Sequence, residues 1–255
     1  MPQLETLTIP CRTDNYAYLI LAPNGTEAAL VDAPEAAPIA RALAARNLTL
    51  SDILVTHHHA DHVEAVDALR TPATRVIGAK ADESRLPALD LAVSDGDTID
   101  LFGTNVDVMD ASGHTMGHVA YYVPAAGGVF TADSLMALGC GHLFEGDAAT
   151  MWATLTRLSA LPPETRVYSG HEYTEANGRF AVTVDPDNPA LRTRLDWVAA
   201  QRAQGKPTVP SDLAEELATN PFLRAASDEV KAHLGMAGAS DVDAFAEVRR
   251  RKDRF

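Results

Sequence analysis

Cysteine is nearly absent: Cys11 and Cys140 are the only two in 255 residues. Two thiols cannot form a disulfide framework, and without a C-x-x-C pair neither redox nor thiolate-zinc chemistry is indicated. Long hydrophobic runs are missing too. No stretch of eighteen apolar residues exists, and the amino terminus lacks the basic and apolar regions of a signal peptide, so a soluble, cytoplasmic protein is expected. Basic residues are in deficit, with 21 Lys and Arg against 35 Asp and Glu, a formal net charge of -14. That balance excludes nucleic acid, whose phosphates require a basic face. An acidic substrate would need positive charge gathered locally, by metal ions or a basic patch.

What is present is an ordinary globular composition, 46% hydrophobic and 22% charged, in a chain long enough to bury a large core. Short runs rich in Val, Ile and Tyr read as strands: Tyr16 to Ala22, Ala28 to Asp32, Ile53 to Thr56, Val106 to Met109, Val119 to Val123, Val129 to Ala132 and Val167 to Ser169. Pro34 to Arg46 and Ala148 to Ala160 read as helices. Beyond residue 172 the texture is helical, around Leu191 to Arg202, Ser211 to Ala218, Ser227 to Leu234 and Asp241 to Lys252. Layered sheets flanked by helices, followed by a helical appendage, are therefore expected. The division falls at 1–172 and 173–255.

The chemistry concentrates in Thr56-His57-His58-His59-Ala60-Asp61-His62, directly after an apolar strand. Alternation along an extended segment points His57 and His59 the same way and His58 away, while Asp61 and His62 follow where the chain turns into a helix carrying Val63 to Leu69. Imidazole and carboxylate donors without thiolate suit Zn, Fe or Mn. His114, Asp133 and His171 each follow an apolar segment beside small residues and bring the candidate ligands to seven, too many for one ion and enough for two. His118 is expected to support the site, and His233 to lie on the surface.

These motifs, H-x-H-x-D-H, then G-H-T, T-x-D and G-H, resemble the metallo-β-lactamase superfamily over roughly residues 7 to 172. The resemblance implies an α+β fold, a four-layer αββα sandwich, here with a C-terminal all-helical domain. It implies that His57, His59 and His114 hold one divalent ion, that Asp61, His62 and His171 hold a second, and that Asp133 bridges them, with zinc expected and iron or manganese as alternatives. Thr13-Asp14-Asn15-Tyr16, Cys140-Gly141-His142-Leu143-Phe144-Glu145-Gly146, Gly170-His171-Glu172-Tyr173, Asn220-Pro221-Phe222-Leu223-Arg224 and the terminal run Arg249 to Phe255 further resemble the glyoxalase II family.

That second resemblance implies hydrolysis of S-D-lactoylglutathione to glutathione and D-lactate, the second step of methylglyoxal detoxification. It implies that Arg249 and Lys252 bind the glutathione carboxylate and that Tyr173, His142 and Phe144 contact the tripeptide. Residues three apart on a helix share a face, which agrees with Arg249 and Lys252 meeting one anion. The family usually has a basic residue where this chain has His142, some members have tyrosine in place of Phe144, and its T-G-D motif reads Thr131-Ala132-Asp133 here. Two ions sharing a water would lower its pKa, and Asp61 and Asp133 are the candidate catalytic carboxylates. The expected partner is this small thioester, with no nucleic acid and no membrane, and the chain is expected to be a monomer. The alternative is a superfamily hydrolase for another acyl-thiol or a lactone. An iron persulfide dioxygenase and a non-catalytic metal-binding scaffold are the further readings.

Overall fold

β-branched and aromatic residues fit a pleated, half-buried surface, and the short runs that carry them set the architecture. The computed structural model describes residues 4–255. Two compact units result, one made of residues 4–111 with Thr115–Ala132, the other of Ser112–His114 with Asp133–Phe255.

The first unit contains β1 (Thr6–Cys11), β2 (Asn15–Leu21), β3 (Glu27–Val31), α1 (Ala36–Ala45), β4 (Thr49–Leu54), α2 (Ala60–Val63), α3 (Val66–Leu69), β5 (Arg75–Ala79), β6 (Leu91–Val93), β7 (Thr98–Leu101), β8 (Thr104–Asp110), β9 (Val119–Val123) and β10 (Gly128–Ala132). The strands β1 to β6 form one sheet in sequence order. Its first three pair antiparallel and its last three join in parallel. Parallel neighbours need crossovers, which α1 supplies between β3 and β4, and α2 with α3 between β4 and β5. Leu19, Leu30, Ile53 and Val76 of this sheet bury themselves with Ile39 of α1, each such side chain contributing about 1.5–3 kcal/mol. β7 to β10 form an antiparallel meander. The two sheets meet where the ring of Tyr18 lies 5.6 Å from that of Phe130 and where Tyr121 Oη donates to the Val55 carbonyl at 2.8 Å.

The second unit contains β11 (Leu135–Met136), β12 (Gly139–Cys140), α4 (Ala148–Ser159), β13 (Arg166–Ser169), α5 (Thr174–Val184), α6 (Pro189–Arg202), β14 (Ser211–Asp212), α7 (Leu213–Thr219), α8 (Asp228–Leu234) and α9 (Asp241–Lys252). Four of its helices begin on side chains that accept from their first free N–H groups: Asp147 for α4, Asn188 for α6, Ser227 for α8 and Ser240 for α9. Asn220 explains one of the family motifs. Its Nδ2 donates to the Met136 and Gly139 carbonyls at 3.0 Å each, so the buried Asn-Pro-Phe turn clamps the β11–β12 hairpin.

Past residue 172 the regular elements are all helices apart from the two-residue β14, and α5 adds a helix that the sequence pattern did not show. The helix expected over Val63 to Leu69 is broken at Ala65, whose N–H turns to the Ala33 carbonyl at 2.9 Å. No helix among the described residues is long and apolar enough to cross a membrane.

Candidate metal centre

In the first unit the ligand-rich segment lies just beyond the carboxyl end of β4, the end of a parallel strand where sites ordinarily form. Asp32 organises it. This buried carboxylate accepts from Thr56 N at 2.9 Å and Thr56 Oγ1 at 2.8 Å, and lies 2.7 Å from His62 Nδ1. Its own φ is +56°, a left-handed conformation that costs a non-glycine residue about 1–2 kcal/mol. With Nδ1 of His62 held by Asp32, Nε2 is the atom the ring would offer a metal. His57 is fully buried, stacked on His118 at 4.6 Å, with Nδ1 3.1 Å from Thr56 Oγ1. Asp61 is held by Asn15, whose Nδ2 donates to the carboxylate at 3.1 Å and to the Asp61 carbonyl at 3.2 Å. The Thr-Asp-Asn-Tyr motif thereby acquires a physical role.

The donor atoms fit metal binding. His57 Nε2 and His59 Nδ1 stand 3.1 Å apart, and His62 Nε2 and Asp61 Oδ2 stand 3.7 Å apart. Ligands bonded to one tetrahedral ion at about 2.0–2.2 Å are separated by roughly 3.3–3.6 Å, and these pairs bracket that span. His58 is turned away, its Nδ1 2.8 Å from Asp82 Oδ2.

In the second unit Asp133 Oδ2 lies 3.4 Å from His114 Nε2 and 3.4 Å from His171 Nε2. His114 Nδ1 faces the His142 carbonyl at 2.7 Å, so Nε2 is again the atom presented. A Cβ on Gly141 would come within 1.8 Å of the Asp133 carbonyl and 3.0 Å of His114 Nδ1, so only glycine fits there. Ala132, where the resemblance expects glycine, takes φ +40°, a strain that glycine would not carry. His171 is stacked on Tyr173 with ring centroids 4.7 Å apart.

The remaining candidates also meet in this unit. Arg249 is buried: Nη1 donates to the Cys140 carbonyl at 3.1 Å, Nε to Asp253 Oδ1 at 2.8 Å, and the guanidinium lies over the Phe222 ring. Lys252 Nζ sits 5.3 Å from the centre of the Phe180 ring and 5.5 Å from that of Phe255. Burial, then the charges of Arg249 and Arg179, push its pKa below the usual lysine range. The exposed ring of Phe144 lies 4.7 Å from that of His142 and 5.3 Å from that of His114. Both cysteines are buried, and burial pushes their thiols up, Cys11 to about 12 and Cys140 to about 11, so both stay protonated. His233 is exposed, with Nε2 3.1 Å from the Thr183 carbonyl.

The sequence pattern did not single out Asp32, Asp82 or Asp253 as functional neighbours. Asp32 had a signal, a lone carboxylate closing an apolar strand. Asp82 had none, and Asp253 had only its place in the terminal run, since their partners His58 and His142 lie 24 and 111 residues away.

Residues 12–171 match the model of the metallo-β-lactamase superfamily, and residues 172–255 match that of the hydroxyacylglutathione hydrolase C-terminus. The chain is 58% identical to a hydroxyacylglutathione hydrolase of Roseobacter denitrificans and 57% identical to one of Ruegeria pomeroyi, in both cases over 99% of each chain. Among solved structures it is similar to ETHE1 from Myxococcus xanthus, with TM-score 0.67 and 26% identity over 97% of this chain and 89% of that one. It is also similar to TTHA1623 in a di-iron-bound form, with TM-score 0.53 and 31% identity over 65% of this chain and 90% of that one.

Proposed function

The chain belongs to the hydroxyacylglutathione hydrolase family of the metallo-β-lactamase superfamily, and on that premise we propose which of its residues carry the reaction and how. The reaction is hydrolysis of the thioester of an S-(2-hydroxyacyl)glutathione to glutathione and a 2-hydroxy acid. The fold and the His/Asp cluster support a divalent metal site. In our reading it would hold two ions, zinc first: His57, His59 and His114 would serve one, Asp61, His62 and His171 the other, and Asp133 would be shared. The observation that carries this is Asp133 Oδ2, equidistant at 3.4 Å from two imidazole Nε2 atoms.

Two divalent ions supply, when bound, an acidified water and positive charge at the carbonyl oxygen. The chain's own residues do the rest. Asn15 fixes Asp61, and Asp61 orients the attacking water. Asp32 and the His142 carbonyl fix the tautomers of His62 and His114, so that Nε2 of each is the atom turned toward the metals. Lys252, beside Arg249, holds a carboxylate of the tripeptide, and Tyr173 hydrogen-bonds its backbone. His142 and Phe144 line the same side. The departing thiolate, of pKa about 8.5 as the free thiol, needs no dedicated acid.

Asp133→Ala tests the assignment. It should abolish turnover and lower the metal content of the purified protein; retained activity would refute it. We assign residues 1–172 as the catalytic domain and 173–255 as the helical substrate-binding domain of a cytoplasmic monomer.

A further inference from the structure

One cluster of ionisable side chains in the first unit lies outside the seven candidate ligands. Asp82 ends a short 3-10 turn, Lys80–Asp82, directly after β5. Its side chain is fully shielded from solvent. One carboxylate oxygen, Oδ2, lies 2.8 Å from His58 Nδ1. The other accepts from Arg85 Nε at 2.8 Å and from Arg85 Nη2. Arg85 Nη1 in turn lies 3.4 Å from His58 Nε2, so the three side chains close on one another. On the far side the backbone of Gly117 packs against the carboxylate, and a Cβ there would come 2.2 Å from Asp82 Cγ.

The position of this cluster matters. His58 is the residue between His57 and His59, and Gly117 follows His114 by three residues. A buried, fully engaged carboxylate therefore grips the middle of the histidine run and abuts the segment after His114. If the ring of His58 is free to swing, the backbone between His57 and His59 is free as well. The 3.1 Å spacing of their donor nitrogens then loses one of its supports, beside the stacking of His57 on His118 and the His62 N–H to His59 carbonyl bond.

We propose that Asp82 is a positioning residue for the metal centre, which, through His58 and against Gly117, locks the histidine run in the conformation that presents His57 and His59 to one ion. This rests on the ligand assignment above. Partners that orient ligands without touching the metal are typically worth about 10–100-fold in metal affinity. The arrangement asks the same of Asp82 at one remove, through the backbone rather than a ligand ring.

The test uses metal-free full-length wild type, Asp82→Asn, His58→Ala and the double variant, each titrated with Zn2+ against a chromophoric chelator and melted without metal. The expected result is a dissociation constant raised about 10- to 100-fold in each single variant, with the double variant no weaker than the weaker single one, since both act through one contact. Zinc affinity within two-fold of wild type in the single variants would overturn the proposal, whatever happens to the metal-free melting temperature, because the cluster would then only stabilise the fold. Should Asp82→Asn fail to fold, His58→Ala decides alone, its side chain being partly exposed. Wild-type protein that takes up no zinc would overturn the ligand assignment itself, which separates that failure from this one.

Discussion

His142 and Asp253 stand together, ring Nδ1 to carboxylate Oδ1 at 3.1 Å, although 111 residues separate them in the chain. The same oxygen accepts from Arg249. A negative group thus sits among the residues that our reading assigns to an anionic substrate, and it competes for their charge.

Asp253→Asn should therefore lower KM for S-D-lactoylglutathione about 1.4- to five-fold, the span of a partly exposed ion pair worth about 0.2–1 kcal/mol. Steady-state kinetics should show kcat unchanged. A KM that rises would mean that Asp253 is needed to hold Arg249 in place and does not oppose the substrate.

Lys252 and Arg249 should part company under mutation. Lys252→Gln should raise KM about ten-fold with kcat within two-fold, because a remote carboxylate contact serves ground and transition states alike. Arg249→Ala should instead cost about 1–3 kcal/mol of stability, since it strands the buried Cys140 carbonyl. Chemical denaturation beside kinetics separates the two effects. Equal loss of stability in both variants would refute the distinction.

The candidate ligands stand out in the sequence. The H-x-H-x-D-H run advertises itself because its candidate ligands are adjacent and need only a strand end and a turn. His114, Asp133 and His171 were picked out through their strands, whose alternation is short and clear. Helix α5 was not, because Asn177, Gly178 and three β-branched residues at its end weaken local helix propensity. Tertiary packing overrides that weakness: Gly178 gives room to Leu195, and Asn177 Nδ2 donates to the Ala137 carbonyl at 3.1 Å. The same limit hid Asp253 and Asp82, since no local pattern reports a partner far along the chain. The expected strand Ile53 to Thr56 ends at Leu54, where the N–H of Thr56 turns to the side chain of Asp32 and its carbonyl accepts from Val119 of β9 at 2.9 Å.

His142→Lys with Phe144→Tyr should tighten binding of the glutathione thioester, as it restores a cation and a hydroxyl. One added hydrogen bond contributes about 0.5–1.5 kcal/mol, so KM should fall about two- to ten-fold. Neither side chain is among the candidate ligands, so kcat should stay within a few-fold. A double variant that binds no better, while wild type prefers another acyl-thiol, would show that His142 and Phe144 serve a different carrier.

The most direct measurement is elemental analysis and steady-state hydrolysis of S-D-lactoylglutathione on the same preparation, purified without chelator and reconstituted with zinc. The account predicts two metal equivalents per chain, and turnover that disappears with a chelator and returns with metal. Full activity at a single equivalent, or two equivalents with no hydrolysis of this thioester, would contradict it.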